Sequence, residues 1–207
     1  MEDAAFTLAL QHAESTGKYF TLEAGTLLLG ERIGNIQKQH HRHILLLIGI
    51  FGVGKTFLSQ ALHTGAELAG LKSQRWHDDH RAIDLFTQLK DGKDPTNDHA
   101  LAIVGHWNGA RCITYSPIIT RNEYTVVSLI ADQQTRINNA IADGRPGFIR
   151  ECDHEERRET SRRSIYEYSN FIDADADMVV DVSEECRITA EQISELFCKG
   201  IWTGMKS

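Results

Sequence analysis

Unbroken apolar runs, rather than alternation, mark the strands of this chain. Residues 44–48 read Ile-Leu-Leu-Leu-Ile, and 178–182 read Met-Val-Val-Asp-Val, broken only by Asp181. Such runs suit strands buried on both faces of a parallel sheet. Residues 112–115 and 124–130 are two further strand candidates, and 73–77 and 148–151 are shorter ones. Between them the apolar spacing turns helical. A first helix is expected over 3–15, with Ala5, Phe6, Leu8, Ala9 and Leu10 as its apolar positions. Others are expected over 55–69 (stopping at Gly70), 82–89, 135–142 (stopping at 143–147), 153–168 and 189–198. Residues 19–29 have β-like character without a clean period, and 91–98 carry the Gly, Pro and Asn content of an exposed loop. Strands alternating with helices predict an α/β three-layer sandwich around a central parallel sheet.

Length and charge narrow the class. The 207 residues suit one domain, residues 43–207, preceded by an N-terminal extension over residues 1–42. A net charge of -7 gives no global field for a nucleic-acid backbone, so no nucleic-acid partner is expected. No apolar run reaches the length of a membrane span, and the start Met1-Glu2-Asp3 is unlike a signal peptide, so no membrane partner is expected either. Cys112, Cys152, Cys186 and Cys198 form no C-x-x-C pair, which favours reduced thiols and a cytoplasmic location. A homodimer is compatible with all of this.

The chemistry concentrates where the first core strand ends. Residues 49–56 read Gly-Ile-Phe-Gly-Val-Gly-Lys-Thr, the G-x-x-G-x-G-K-T form of a phosphate-binding P-loop. Its glycines let backbone N–H groups turn inward around phosphate oxygens. Lys55 adds a mobile positive charge for the β- and γ-phosphates, and the Thr56 hydroxyl is placed to ligate Mg²⁺. The helix beginning at Lys55 points the positive end of its dipole at the same place. Gly49, Gly52, Val53, Gly54, Lys55, Thr56 and Phe57 are therefore expected to hold ATP, with Thr56 as the metal ligand.

Other groups are less specific. Asp78 and Asp79 stand at the carboxyl end of the second strand, where open α/β sheets place ligands. Either could orient an acceptor hydroxyl, take its proton or hold the metal through water, or simply cap the helix that follows. His77 and His80 flank the pair without a confirming third metal ligand. Residues 155–163, Glu-Glu-Arg-Arg-Glu-Thr-Ser-Arg-Arg, read either as a solvated helix with i,i+4 pairs or as a lid whose arginines close over ATP. Arg158 and Arg162 are the lid candidates. An apolar strand ending in Asp, the Walker B form, is matched loosely both by 125–132, ending at Asp132, and by 178–181, ending at Asp181. The tract 37–43, with His40, His41 and His43, reads as a polar approach hydrating the start of the first core strand, with a metal-binding role or a nucleotide-facing surface as its alternatives.

The order of elements resembles that of P-loop small-molecule kinases, especially adenylylsulfate kinases and gluconate kinases. Trp76-His77-Asp78-Asp79-His80-Arg81 is similar to the adenylylsulfate-kinase D-G-D-x-x-R, although the central glycine is missing. Ser116-Pro117, with Arg121 nearby, resembles that family's S-P-x-R turn. Residues 84–98 are similar to a gluconate-kinase stretch, and 171–184 to the end of a kinase lid and the final strand. The segment between Tyr166 and Phe171 is shorter than the adenylylsulfate-kinase lid, and the C-x-A-L segment of gluconate kinases is absent. The resemblance implies ATP- and Mg²⁺-dependent phosphoryl transfer to a hydroxyl of a small molecule. The short lid implies a polyol, sugar acid or amino-alcohol rather than adenylylsulfate. A regulatory nucleotide switch or a small ATPase is the competing expectation.

Overall fold

The computed structural model describes residues 4–40, 42–50, 52–76, 79–105, 113, 116–144 and 176–207. Over these residues the order is α1 (Ala4–Ser15), β1 (Tyr19–Thr21), α2 (Leu22–Gln37), β2 (His43–Ile48), α3 (Lys55–Leu68), β3 (Ser73–Trp76), α4 (Asp79–Lys90), β4 (Leu101–Gly105), β5 (Tyr124–Ile130), α5 (Gln133–Ala142), β6 (Met178–Asp181) and α6 (Ala190–Lys206). The six strands form one sheet in the order β1-β6-β5-β2-β4-β3. Every pairing is parallel.

Parity sorts the core into two slabs. Leu45 and Leu47 of β2 join Leu101, Ile103, Val127 and Leu129 on one face, packed by α2, α3 and α6. Ile44, Leu46 and Ile48 join Ala102, Val104 and Val126 on the other, packed by Leu85, Phe86 and Leu89 of α4. On that second side Ala9 and Ala13 of α1 cover Ile130 and Val179. A strand buried on both faces has no polar side to show, which is why β2 reads as a solid apolar run.

The segment before β2 is built into this body. β1 adds a parallel strand beside β6, and α2 lies against α6. That contact is made by small residues: Gly30 and Gly34 on α2 face Gly200 and Gly204 on α6. A Cβ on Gly34 would collide with the Ile201 carbonyl, and one on Gly204 with the Glu31 carbonyl. The backbones therefore approach closer than any side chain would allow.

Four expectations differ from the structure. Residues 19–29 are not an extended segment: only Tyr19–Thr21 is strand, and α2 begins at Leu22. Thr21 caps that helix, its side chain accepting from Ala24 N, and Leu22, Leu29 and Ile33 give it an inward stripe. The strand between β2 and β3 is Leu101–Gly105, a run passed over in favour of 112–115. Ile113 is helical and buried, and the rest of 112–115 lies outside the described residues. His43 does not hydrate the strand entrance. It is the first residue of β2, 1% exposed, with Nε2 2.8 Å from the Thr125 hydroxyl. The last helix runs on to Lys206, since Ile201 and Gly204 continue its buried face. The expected strand at 148–151 and helix at 153–168 lie outside the described residues.

Candidate functional site

The loop leaving β2 must reverse into α3 in little space, and glycines carry that geometry. Gly49, Gly52 and Gly54 have φ of 147°, 76° and 86°. Space is short as well. A Cβ on Gly49 would lie 2.7 Å from the Leu129 carbonyl oxygen, and one on Gly52 2.7 Å from that of Arg136. Gly54 occupies the N-cap position of α3 and offers no side-chain acceptor. The first amides of α3 are thus left without a side-chain cap, a donor set of the kind a polyphosphate satisfies.

Lys55 is not a free-standing charge. Its Nζ donates to the Gly49 carbonyl at 2.7 Å and the Ile50 carbonyl at 2.9 Å, so the side chain bridges the loop it terminates. β4 comes close beside it, with a Cβ built at Gly105 falling 3.7 Å from Lys55 Cβ. Thr56 and Phe57 are exposed on the first turn of α3. Val53 is fully buried in the slab under the loop and anchors it.

Two neighbouring elements complete the surroundings. Asp132 caps α5: its carboxylate accepts from Thr135 N at 2.8 Å and from the Thr135 hydroxyl at 2.6 Å. Burial pulls this carboxyl upward, but those hydrogen bonds outweigh it and hold the group below the usual aspartate range. One turn along α5, Asn139 donates from Nδ2 to the Gly52 carbonyl at 2.8 Å, fastening the helix to the loop. A cavity of about 200 Å³ opens between α3, α5 and the β6–α6 loop. Its lining includes Phe57, Thr135, Asn139, Asp143, Val182 and Arg187. Asn139 and Arg187 carried no signal in the sequence, since a single polar residue on a helix or loop has no motif around it.

The other sequence candidates fall as follows. α4 begins at Asp79, at the same carboxyl edge of the sheet as the P-loop, with β4 between β3 and β2. Only the backbone of Asp79 is described; Asp78, Arg158 and Arg162 lie outside the described residues. Both Walker B carboxylates are hydrogen-bonded within the protein: Asp132 as a cap, and Asp181 by the Tyr19 hydroxyl and Ser183. Among the described residues no cluster of three His, Cys, Asp or Glu side chains could hold a metal ion. Thr56, the metal-ligand candidate of the sequence, is exposed on the first turn of α3. Its hydroxyl is compatible with a cation otherwise coordinated by phosphate oxygens and water.

The segments of the kinase resemblance at 94 and 116–121 lie away from this site. Ser116 donates to the Leu89 carbonyl at the far end of α4. Arg121 precedes β5 and pairs with Asp177 at 2.9 Å. Asp94 pairs with Arg42 and accepts from Thr96. All three sit at the amino edge of the sheet, opposite the P-loop. Among the described residues no helix is long and apolar enough to cross a membrane.

No family model matches the chain, and no curated protein is similar to it. Among solved structures it is similar to a presumed kinase from Chloroflexus aurantiacus, with 16% identity and a TM-score of 0.35 over 75% of this chain and 96% of that one. It is also similar to a gluconokinase from Sinorhizobium meliloti, with 11% identity and a TM-score of 0.37 over 79% of this chain and 94% of that one. Likeness at that distance carries no information about activity. What stands on this chain's own geometry is the class: an α/β sandwich with a P-loop at the carboxyl edge of its central parallel sheet.

Proposed function

We propose that the chain is an ATP-dependent phosphotransferase acting on a hydroxyl group of a small molecule. The observation that carries the reading is the loop between β2 and α3. It has three glycines at positive φ, an uncapped helix start, Lys55 at its closing turn and an exposed Thr56 beside it. In this reading the α3 amides and Lys55 hold the β- and γ-phosphates, Lys55 exchanging its carbonyl partners for phosphate oxygens. Thr56 would be the chain's ligand to Mg²⁺, which when bound supplies charge neutralisation at the phosphates. Phe57 and Val182 offer apolar surface for the nucleoside, and Asn139 keeps Gly52 in place. Transfer breaks the bond between the γ-phosphorus and the β,γ-bridging oxygen and forms one to the acceptor oxygen. The acceptor proton passes to Asp78 or Asp79. Arg158 and Arg162 would offset charge on the moving group.

The test is product analysis with γ-labelled ATP, Mg²⁺ and a panel of polyols, sugar acids and amino-alcohols. Label is expected on an organic acceptor, with little or none on adenylylsulfate. Release of phosphate alone would replace the proposal with an ATPase, and tight ATP binding without turnover would replace it with a nucleotide switch. Asp78→Asn or Asp79→Asn is expected to lower kcat far more than it weakens ATP binding. Full turnover in both variants would leave the pair as a helix cap.

A further inference from the structure

A chain of hydrogen bonds runs from the strand nearest the N-terminus to the phosphate loop. The Tyr19 hydroxyl donates to Asp181 Oδ2 at 3.1 Å. Asp181 Oδ1 accepts from the Ser183 amide at 2.9 Å and from the Ser183 hydroxyl at 2.6 Å. Ser183 Oγ in turn accepts from the Asp132 amide at 3.3 Å. Asp132 grips Thr135 through both carboxylate oxygens, and the Thr135 hydroxyl accepts from Glu184 N at 3.0 Å. From α5, Asn139 reaches the Gly52 carbonyl.

The Cys186 thiol lies beside the first link, within reach of both Tyr19 and Asp181. The Ser183 and Thr135 hydroxyls have one proton apiece, each given to a carboxylate, so their oxygens remain to accept the Asp132 and Glu184 amides. Tyr19 is kept protonated, because burial and then the Asp181 charge push its pKa well up. Ser183 and Asp181 are nearly inaccessible, at 6% and 5% exposure, so water does not readily substitute for a lost partner. The chain borders the nucleotide cavity, whose wall also contains Leu22, the residue that opens α2.

We propose that Tyr19 is a positioning residue for nucleotide binding: its hydroxyl holds the β6–α6 loop against the start of α5, and α5 holds the P-loop through Asn139. The segment before the P-loop strand is then a working part of the site. The inference rests on nucleotide binding at the P-loop but not on phosphoryl transfer.

The test uses the full chain, with ATP affinity measured by calorimetry. Tyr19→Phe removes only the hydroxyl, and Ser183→Ala breaks the next link. Each is expected to weaken ATP binding three- to tenfold, and the double variant no more than the weaker single one, because both cut the same chain. Where turnover is measurable, KM for ATP should rise with kcat unchanged. Arg32→Ala, at the opposite edge of the sheet, should lower the melting temperature without moving ATP affinity, which separates positioning from general destabilisation. Wild-type affinity in Tyr19→Phe, strictly additive losses, or an equal loss in Arg32→Ala would each overturn the proposal. If the wild-type chain binds no ATP, the P-loop reading falls first and this one with it.

Discussion

At the amino edge of the sheet Arg32 and Arg121 share one oxygen of Asp177, at 2.8 and 2.9 Å. The other Asp177 oxygen accepts from Val126 N. Arg42 binds both Asp94 and Glu123, and Arg121 lies 4.7 Å over the Tyr124 ring. At the carboxyl edge the loop around Gly52 instead offers glycines, helix amides without a side-chain cap and a lysine bonded to backbone carbonyls. The first edge satisfies its charges with one another, and the second keeps donors in reserve. Internal pairing supports the fold. Donors held in reserve add little to the fold and can answer a ligand. Changes at the two edges should therefore separate stability from binding.

The largest expected effect is Lys55→Ala. Losing a preorganised charge at a transferring phosphoryl group should cost about 10²–10³ in rate, on the order of 3–4 kcal/mol. Its bonds to Gly49 and Ile50 make only a small fall in melting temperature expected; near wild-type turnover would remove the loop from the mechanism. At the other edge, Asp177→Asn should do the opposite. Its carboxyl is held below the usual range despite burial, by the Val126 amide and by Arg121 and Arg32. Breaking these bonds should cost about 2–3 kcal/mol of stability, or roughly 5–10 °C for a chain of this size, with ATP affinity unchanged by calorimetry.

A third test sharpens the contrast through pH. Burial and neighbouring positive charge, chiefly Arg32, lower the His43 pKa to about 3. Folded His43 stays neutral, whereas the unfolded chain takes up a proton below about pH 6.5. Stability is then fullest above that value and declines as pH falls from about 6.5 toward 3, by up to about 1.4 kcal/mol per pH unit. His99, also pushed down by burial, adds the same sign. His43→Gln should flatten the slope between about pH 4.5 and 6.5 in denaturant titrations, above the range where Asp177 and Glu123 titrate. An unchanged slope would show that His43 is solvated. The smallest effect is expected for Asn139→Ala, about a tenfold loss of ATP affinity, or ~1.4 kcal/mol, with little change in melting temperature. Equal losses of both would place Asn139 with the structural groups.

The parts readable from sequence were those with a local cause. The P-loop was legible because its residue types fall in one eight-residue pattern, although Gly49 and Gly52 also answer to Leu129 and Arg136 far along the chain. The helices expected over 55–69, 82–89 and 135–142 were legible because their apolar periods are regular, and the first and last stop at glycine; the second and third begin two or three residues earlier than expected. β4 has the same apolar form as β2 and follows the loop at 91–98, but Leu101–Gly105 is short, and 112–115 reads in sequence as a strand in its place. His43 was misread because a histidine in a polar tract looks hydrated until Thr125, far along the chain, is seen to receive it. Arg121 matched a kinase turn by spacing, yet β5 carries it to the opposite edge from the P-loop. Asn139, Tyr19 and Asp181 act through partners remote in sequence, and nothing in their neighbours announces that.

The glycine seam between α2 and α6 also bears on how the protein is made. Its two halves lie near opposite ends of the chain, and β2 through β6 are synthesised between them. At about 5–20 residues per second, α2 waits on the order of ten seconds or more for its partner to leave the ribosome. During that time Leu29 and Ile33 have no α6 to pack against. Any folding that begins on the ribosome must proceed without the seam. The two-helix layer closes only after α6 has emerged, so the seam is among the last contacts this domain makes.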